Sequence, residues 1–86
     1  MPTISIFYGI IIRIFYDEHG PPHFHVAYQG YDAVIDIRRL EIREGQLPRR
    51  ALNLVLDWAE LHQTELLVNW ELIEKGRPLS TIKPLE

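Results

Sequence analysis

The sequence predicts an α+β domain: a small antiparallel β-sheet of about four strands, then two helices packed on one face and a short extended C-terminal tail. Two observations favour this fold class. Residues 1–44 contain alternating runs of β-branched and aromatic residues separated by turn signals. Residues 48–75 instead repeat apolar side chains at helical spacing, and residues 77–86 form the tail. The 86 residues contain no linker or internal repeat, so we predict one domain over residues 1–86.

The predicted strands are joined by short turns. They cover residues 4–8, 10–16, 23–28 and 31–37, with a further short extended piece at 40–43. Gly9 separates the first two runs and fits either a tight turn or a bulge in one longer strand. Residues 17–22 contain one glycine and two prolines, which is typical of a turn. Gln29-Gly30 is a two-residue hairpin signal.

Alternation along the strands assigns their two faces. Phe24 and Ile35 belong to the face that the helices should cover, whereas His23 and His25 belong to the other face. Residues 10–16 are apolar on both faces, which requires a covering layer on each side. Because one helical layer cannot cover both sides, we expect a homodimer or a partner protein.

The helical region has clear ends and is too long for one straight helix. Pro48 suits a first helical turn, and Gly76 is a stop signal. A straight helix over 48–75 would be about 42 Å long, more than a domain of this size can cover. We therefore predict a break near Gln63-Thr64. The helical positions predicted for the core or a dimer layer include Trp58, Leu61 and Trp70, and residues 81–85 are a candidate edge strand.

Composition excludes several classes of protein. The formal net charge of −3 argues against a nucleic-acid binder with a uniformly basic surface. The chain has no cysteine, so it has neither a disulfide framework nor a thiolate zinc site. No apolar run approaches the roughly 20 residues that span a membrane, and no signal peptide is evident. We expect a cytoplasmic bacterial protein that does not act at a membrane.

The His23-x-His25 pair is a candidate metal site. Side chains two residues apart on a strand share a face, and neutral imidazoles suit zinc, iron or nickel. A two-residue turn at Gln29-Gly30 pairs His23 with Asp36 and His25 with Val34. We therefore predict His23, His25 and Asp36 as metal ligands. The other candidates for the third ligand are His19, Asp32 and His62.

Two further interpretations use the same residues without a metal. In the first, Asp36 only orients His23 through a cross-strand hydrogen bond. In the second, His23 or His25 is a catalytic general base on an RNA 2′-hydroxyl, and Asp36 fixes the tautomer. Five arginines would then bind the phosphates of RNA or DNA, although a solvated, ion-paired face explains them as well. They are Arg38, Arg39, Arg43, Arg49 and Arg50.

The chain resembles a family of small prokaryotic proteins, domain of unknown function 4160. The matching segments include the run PPHFHV at residues 21–26. The others are residues 1–5, 7–9, 33–36, 47–51, 58–62, 69–70 and 82–85. The resemblance implies a cytoplasmic protein encoded beside another small gene, as in toxin–antitoxin pairs, and it transfers no catalytic residue to this chain.

Two hypotheses about function follow. The first is a protein-interaction module of a two-gene, toxin–antitoxin-like system that binds the neighbouring gene's product and acts on RNA. The second is a metal-binding, hydrolytic domain that uses the His-x-His pair with zinc or a similar ion. Whether the protein is an enzyme stays open at this stage.

Overall fold

A computed structural model describes residues 3–16 and 18–86. Five antiparallel strands lie in chain order in one sheet, and two helices follow. The elements are β1 Thr3–Phe7, β2 Ile10–Arg13, β3 His23–Tyr28, β4 Tyr31–Asp36, β5 Ile42–Gly45, α1 Arg49–Leu61 and α2 Gln63–Glu74. This arrangement confirms the predicted α+β class.

The sheet has five strands, slightly more than the predicted four. Tyr8 and Gly9 both have positive φ and form a tight two-residue turn, so β1 and β2 are separate strands. The short extended piece predicted at residues 40–43 lies two residues further along the chain, where β5 pairs with β4.

The β3–β4 hairpin has the predicted register. Gln29 and Gly30 have φ values of 44° and 83°, as a type I′ turn requires. His23 pairs with Asp36, and His25 pairs with Val34. The turn length therefore fixed which side chains share the histidine face.

The core lies between one face of the sheet and the helices. Phe24 and Ile35 are fully buried there, and the ring centroids of Phe24 and of Trp58 in α1 lie 6.0 Å apart. The helices are divided at His62, one residue before the predicted break. The core position predicted for Leu61 is wrong: its side chain is 71% exposed, because Leu61 is the last residue of α1, where the chain leaves the helix.

Within the described residues the opposite face of the sheet has no helical covering layer apart from the Trp70 ring of α2, which packs against His23. Ile11 and Phe15 are only half-buried there, whereas Ile10, Ile12 and Ile14 of the other face are fully buried. None of the described helices is both long and apolar enough to cross a membrane.

The C-terminal tail is extended but adds no strand to the described sheet. A single backbone hydrogen bond joins it to β1, from the Ile82 amide to the Ile4 carbonyl at 2.8 Å. Helix side chains bind the tail backbone instead. Trp58 Nε1 donates to the Lys83 carbonyl, and the Asn69 amide forms two hydrogen bonds with the Ser80 backbone. These contacts replace the ladder that an edge strand would form.

Candidate metal centre

The long connection between β2 and β3 brings a carboxylate to the paired histidines. The rings of His23 and His25 lie side by side with their centroids 5.5 Å apart. Glu18 lies between them: Oε2 is 3.1 Å from His23 Nε2, and Oε1 contacts His25 Nε2. One ligand atom from each of the three residues lies within 4.8 Å of the other two. We call Glu18, His23 and His25 the two-histidine cluster.

The hydrogen bonding of His23 assigns its tautomer. Its Nδ1 lies 2.9 Å from the Pro21 carbonyl oxygen. A carbonyl oxygen only accepts hydrogen bonds, so Nδ1 carries the proton and donates it. In the neutral ring Nε2 then has a free lone pair, which faces the Glu18 carboxylate. Two acceptors face each other in this way only if a proton or another cation lies between them.

The packing of both rings holds them in place. His23 is buried and lies 4.9 Å, centroid to centroid, from the Trp70 ring of α2. His25 is half-buried and meets Phe15 edge to face at 4.7 Å. Rings that are held by packing and by a backbone hydrogen bond are preorganised to bind a ligand.

The charge of Glu18 is stabilised by the histidines. Burial raises the pKa of its carboxyl group, but hydrogen bonds and charge interactions with His23 and His25 outweigh that effect. The pKa of Glu18 is therefore lowered from its ordinary value. The residue is ionised at neutral pH, as a metal ligand must be.

Asp36, which the sequence suggested as third ligand, has another role in the structure. Its Oδ1 accepts hydrogen bonds from the amides of Arg38 and Arg39, at 2.9 and 2.8 Å. The carboxylate thus closes the turn between β4 and β5. The predicted hydrogen bond from Asp36 to His23 is not among the contacts of the described residues, and Pro21 and Glu18 bind the ring instead.

The other candidate ligands also lie apart from the two-histidine cluster. His19 is exposed, and Asp32 pairs with Ala27 further along the hairpin. The Nδ1 atom of His62 lies 2.6 Å from Oε1 of Glu65. The sequence analysis missed Glu18. Its only signal was a carboxylate five residues before His23, and no periodicity fixes where such a loop side chain points.

The five predicted phosphate-binding arginines divide between two surfaces. One cleft contains Arg38, Arg39 and Arg43, together with Pro21, Asp36 and Glu41. Arg49 and Arg50 begin α1, where Arg50 lines a separate cleft with Tyr8 and Tyr28. Their role toward nucleic acid stays a prediction.

Arg43 belongs to the surroundings of the two-histidine cluster. The β4–β5 register shifts between Val34 and Ile35, which makes Arg43 the extra residue of a bulge. Its guanidinium donates to the Pro21 carbonyl at 3.4 Å, the same oxygen that holds His23.

Comparison with known proteins supports the family resemblance but adds no activity. The family model described as Domain of unknown function (DUF4160) matches residues 9–71. That range includes the whole two-histidine cluster and all five arginines. No curated protein matches the chain, and neither does any solved structure.

Proposed function

Because the chain belongs to the family described as Domain of unknown function (DUF4160), a name that assigns no activity, we propose a function from the site itself. In this proposal Glu18, His23 and His25 bind one divalent transition-metal ion. The protein is then a metal-binding domain with a hydrolytic activity.

The supporting observation is the set of lone pairs that converge between the three side chains. The Pro21 carbonyl holds the His23 proton on Nδ1, so Nε2 is directed at a carboxylate with no hydrogen between them in the neutral state. Metal-binding histidines commonly donate their other N–H to a backbone carbonyl. Glu18 Oε2 and His23 Nε2 lie 3.1 Å apart, close enough for both to bind one ion with bonds of about 2.1 Å.

Three protein ligands leave room for chemistry at the ion. Catalytic zinc sites use three protein ligands plus a water molecule whose pKa falls to about 7. Two imidazoles and one carboxylate also suit Fe(II). In this chain His25 borders an open groove on the uncovered sheet face, through which a substrate would reach the ion.

The test is zinc binding measured by elemental analysis and by titration calorimetry. We expect near-stoichiometric zinc in the native protein and none in Glu18→Gln or His23→Ala. Glu65→Gln is the matched control, because Glu65 contacts His62 outside the two-histidine cluster and its loss should leave zinc unchanged. Native protein that takes up neither zinc, iron nor nickel would overturn the proposal.

A protein-interaction function is the second candidate, and the uncovered sheet face supports it. Ile11, Phe15 and Val34 are half-buried apolar side chains on that face. A second copy of the chain, or the product of a neighbouring gene in a cytoplasmic toxin–antitoxin-like pair acting on RNA, would bury them. This function predicts a stable complex that is unaffected by His23→Ala, whereas the metal proposal predicts a metal-loaded protein in the absence of any partner.

A further inference from the structure

An arginine on the uncovered sheet face lies next to the two-histidine cluster. Arg13 of β2 pairs directly with His25 of β3, so their side chains share one face and stand beside each other. Both line a groove with a cavity volume of about 200 Å³. His25 of the cluster and the Arg13 guanidinium therefore open into the same space.

The Arg13 guanidinium has hydrogen-bonding capacity that the described residues leave unused. Its Nε is buried, and no acceptor among residues 3–16 and 18–86 binds it. The same residues include no carboxylate within ion-pair distance of Arg13, although Asp32 and Glu44 line the same groove. A buried N–H without a partner is costly, so such a group is expected to have an acceptor in the working protein.

The shape and charge of the groove limit what that acceptor is. Ile11, Phe15 and Val34 give the groove apolar walls. Its volume is below the roughly 300–1,000 Å³ of pockets for drug-sized ligands, so the occupant is small. Asp32 and Glu44 add negative charge, which repels the two charges of a phosphate dianion more strongly than the single charge of a carboxylate. A monoanion with an apolar body meets all three conditions.

We propose that the groove binds a small apolar carboxylate, which the Arg13 guanidinium holds while the rest of the molecule faces the metal bound by Glu18, His23 and His25. The metal in this inference rests on the proposed function, whereas the carboxylate site does not depend on it. The planar N–H fork of an arginine guanidinium matches the two oxygens of a carboxylate in a bidentate pair. A lysine at the same position would lack this fork.

The test uses benzoate as the probe, with binding measured by NMR titration of metal-free and zinc-loaded protein. We expect benzoate to bind both forms, and Arg13→Gln to weaken its binding at least tenfold while zinc binding is kept. Arg49→Gln is the matched control, because Arg49 is exposed at the start of α1 outside the groove and its loss should leave benzoate binding unchanged.

Several outcomes would overturn the carboxylate site. These are no benzoate binding by native protein, equal binding by Arg13→Gln, or inorganic phosphate binding at least as tightly. If Arg13→Gln does not fold, Ala27→Leu replaces it, since the larger side chain fills the groove without touching the guanidinium charge and should also abolish binding. Benzoate binding without zinc uptake would overturn the metal proposal alone, and zinc uptake without benzoate binding would overturn the carboxylate site alone.

Discussion

Replacing Asp36 by alanine and Glu18 by glutamine should have opposite effects on stability and zinc binding, because the two carboxylates make different contacts. Asp36 accepts hydrogen bonds from two backbone N–H groups and is 8% exposed, whereas Glu18 contacts the two histidines. We expect Asp36→Ala to destabilise the fold and keep zinc. Glu18→Gln should lose zinc and keep the stability of the metal-free protein within about 1 kcal/mol.

The size of the Asp36 effect follows from its contacts. Each hydrogen bond to a charged group contributes about 1.5–3 kcal/mol, so the low end for two bonds is about 3 kcal/mol. Arg38 and Arg39 are exposed, so water can replace part of the hydrogen bonding that their amides lose with the Asp36 carboxylate. We therefore expect a loss of about 2 kcal/mol in the free energy of unfolding. For a domain of this length that loss lowers Tm by roughly 8–16 °C.

The assay is urea unfolding followed by tryptophan fluorescence, together with zinc titration of each variant. Asp36→Asn is the matched control, since its amide oxygen still accepts hydrogen bonds and should recover most of the stability. The reasoning would be refuted if Asp36→Ala lost stoichiometric zinc, or if its unfolding midpoint equalled that of the native protein.

Three further predictions concern the end of β5, the tail and the pH dependence of metal binding. Gly45→Ala should destabilise the fold by more than Gly30→Ala in urea unfolding, because a Cβ at Gly45 would lie 2.1 Å from a β4 carbonyl oxygen while Gly30 faces open space. Both glycines have positive φ, so equal losses in the free energy of unfolding would contradict the steric argument. Asn69→Ala should cost about 1–3 kcal/mol and expose the tail to proteolysis, whereas Asn53→Ala on the exposed side of α1 should do neither; an unchanged digestion pattern would count against the tail contacts. Zinc affinity should fall as the solution is acidified, because protein ligands bind metals in their deprotonated forms; calorimetry that gives the same affinity in acid as at neutral pH would argue against the proposed ligands.

Local rules in the sequence determined the sheet and the pairing of the histidines. A strand has a period of two residues and a type I′ turn has a fixed length, so Gln29-Gly30 was enough to pair His23 with Asp36. A helix break was predictable, because a helix of known rise cannot exceed the sheet it covers, and the break lies at His62, one residue before the predicted position.

Only the tertiary structure decided which carboxylate meets the histidines and what surrounds them. Glu18 lies in a connection without periodicity, where the path of the backbone depends on contacts distant in sequence. The same holds for Trp70, which reaches His23 from α2, 47 positions along the chain. The position of Arg13 beside His25 needed the β2–β3 register, which a nine-residue connection does not fix as a two-residue turn does. Local geometry is thus encoded by neighbouring residues, whereas the candidate site is assembled by packing.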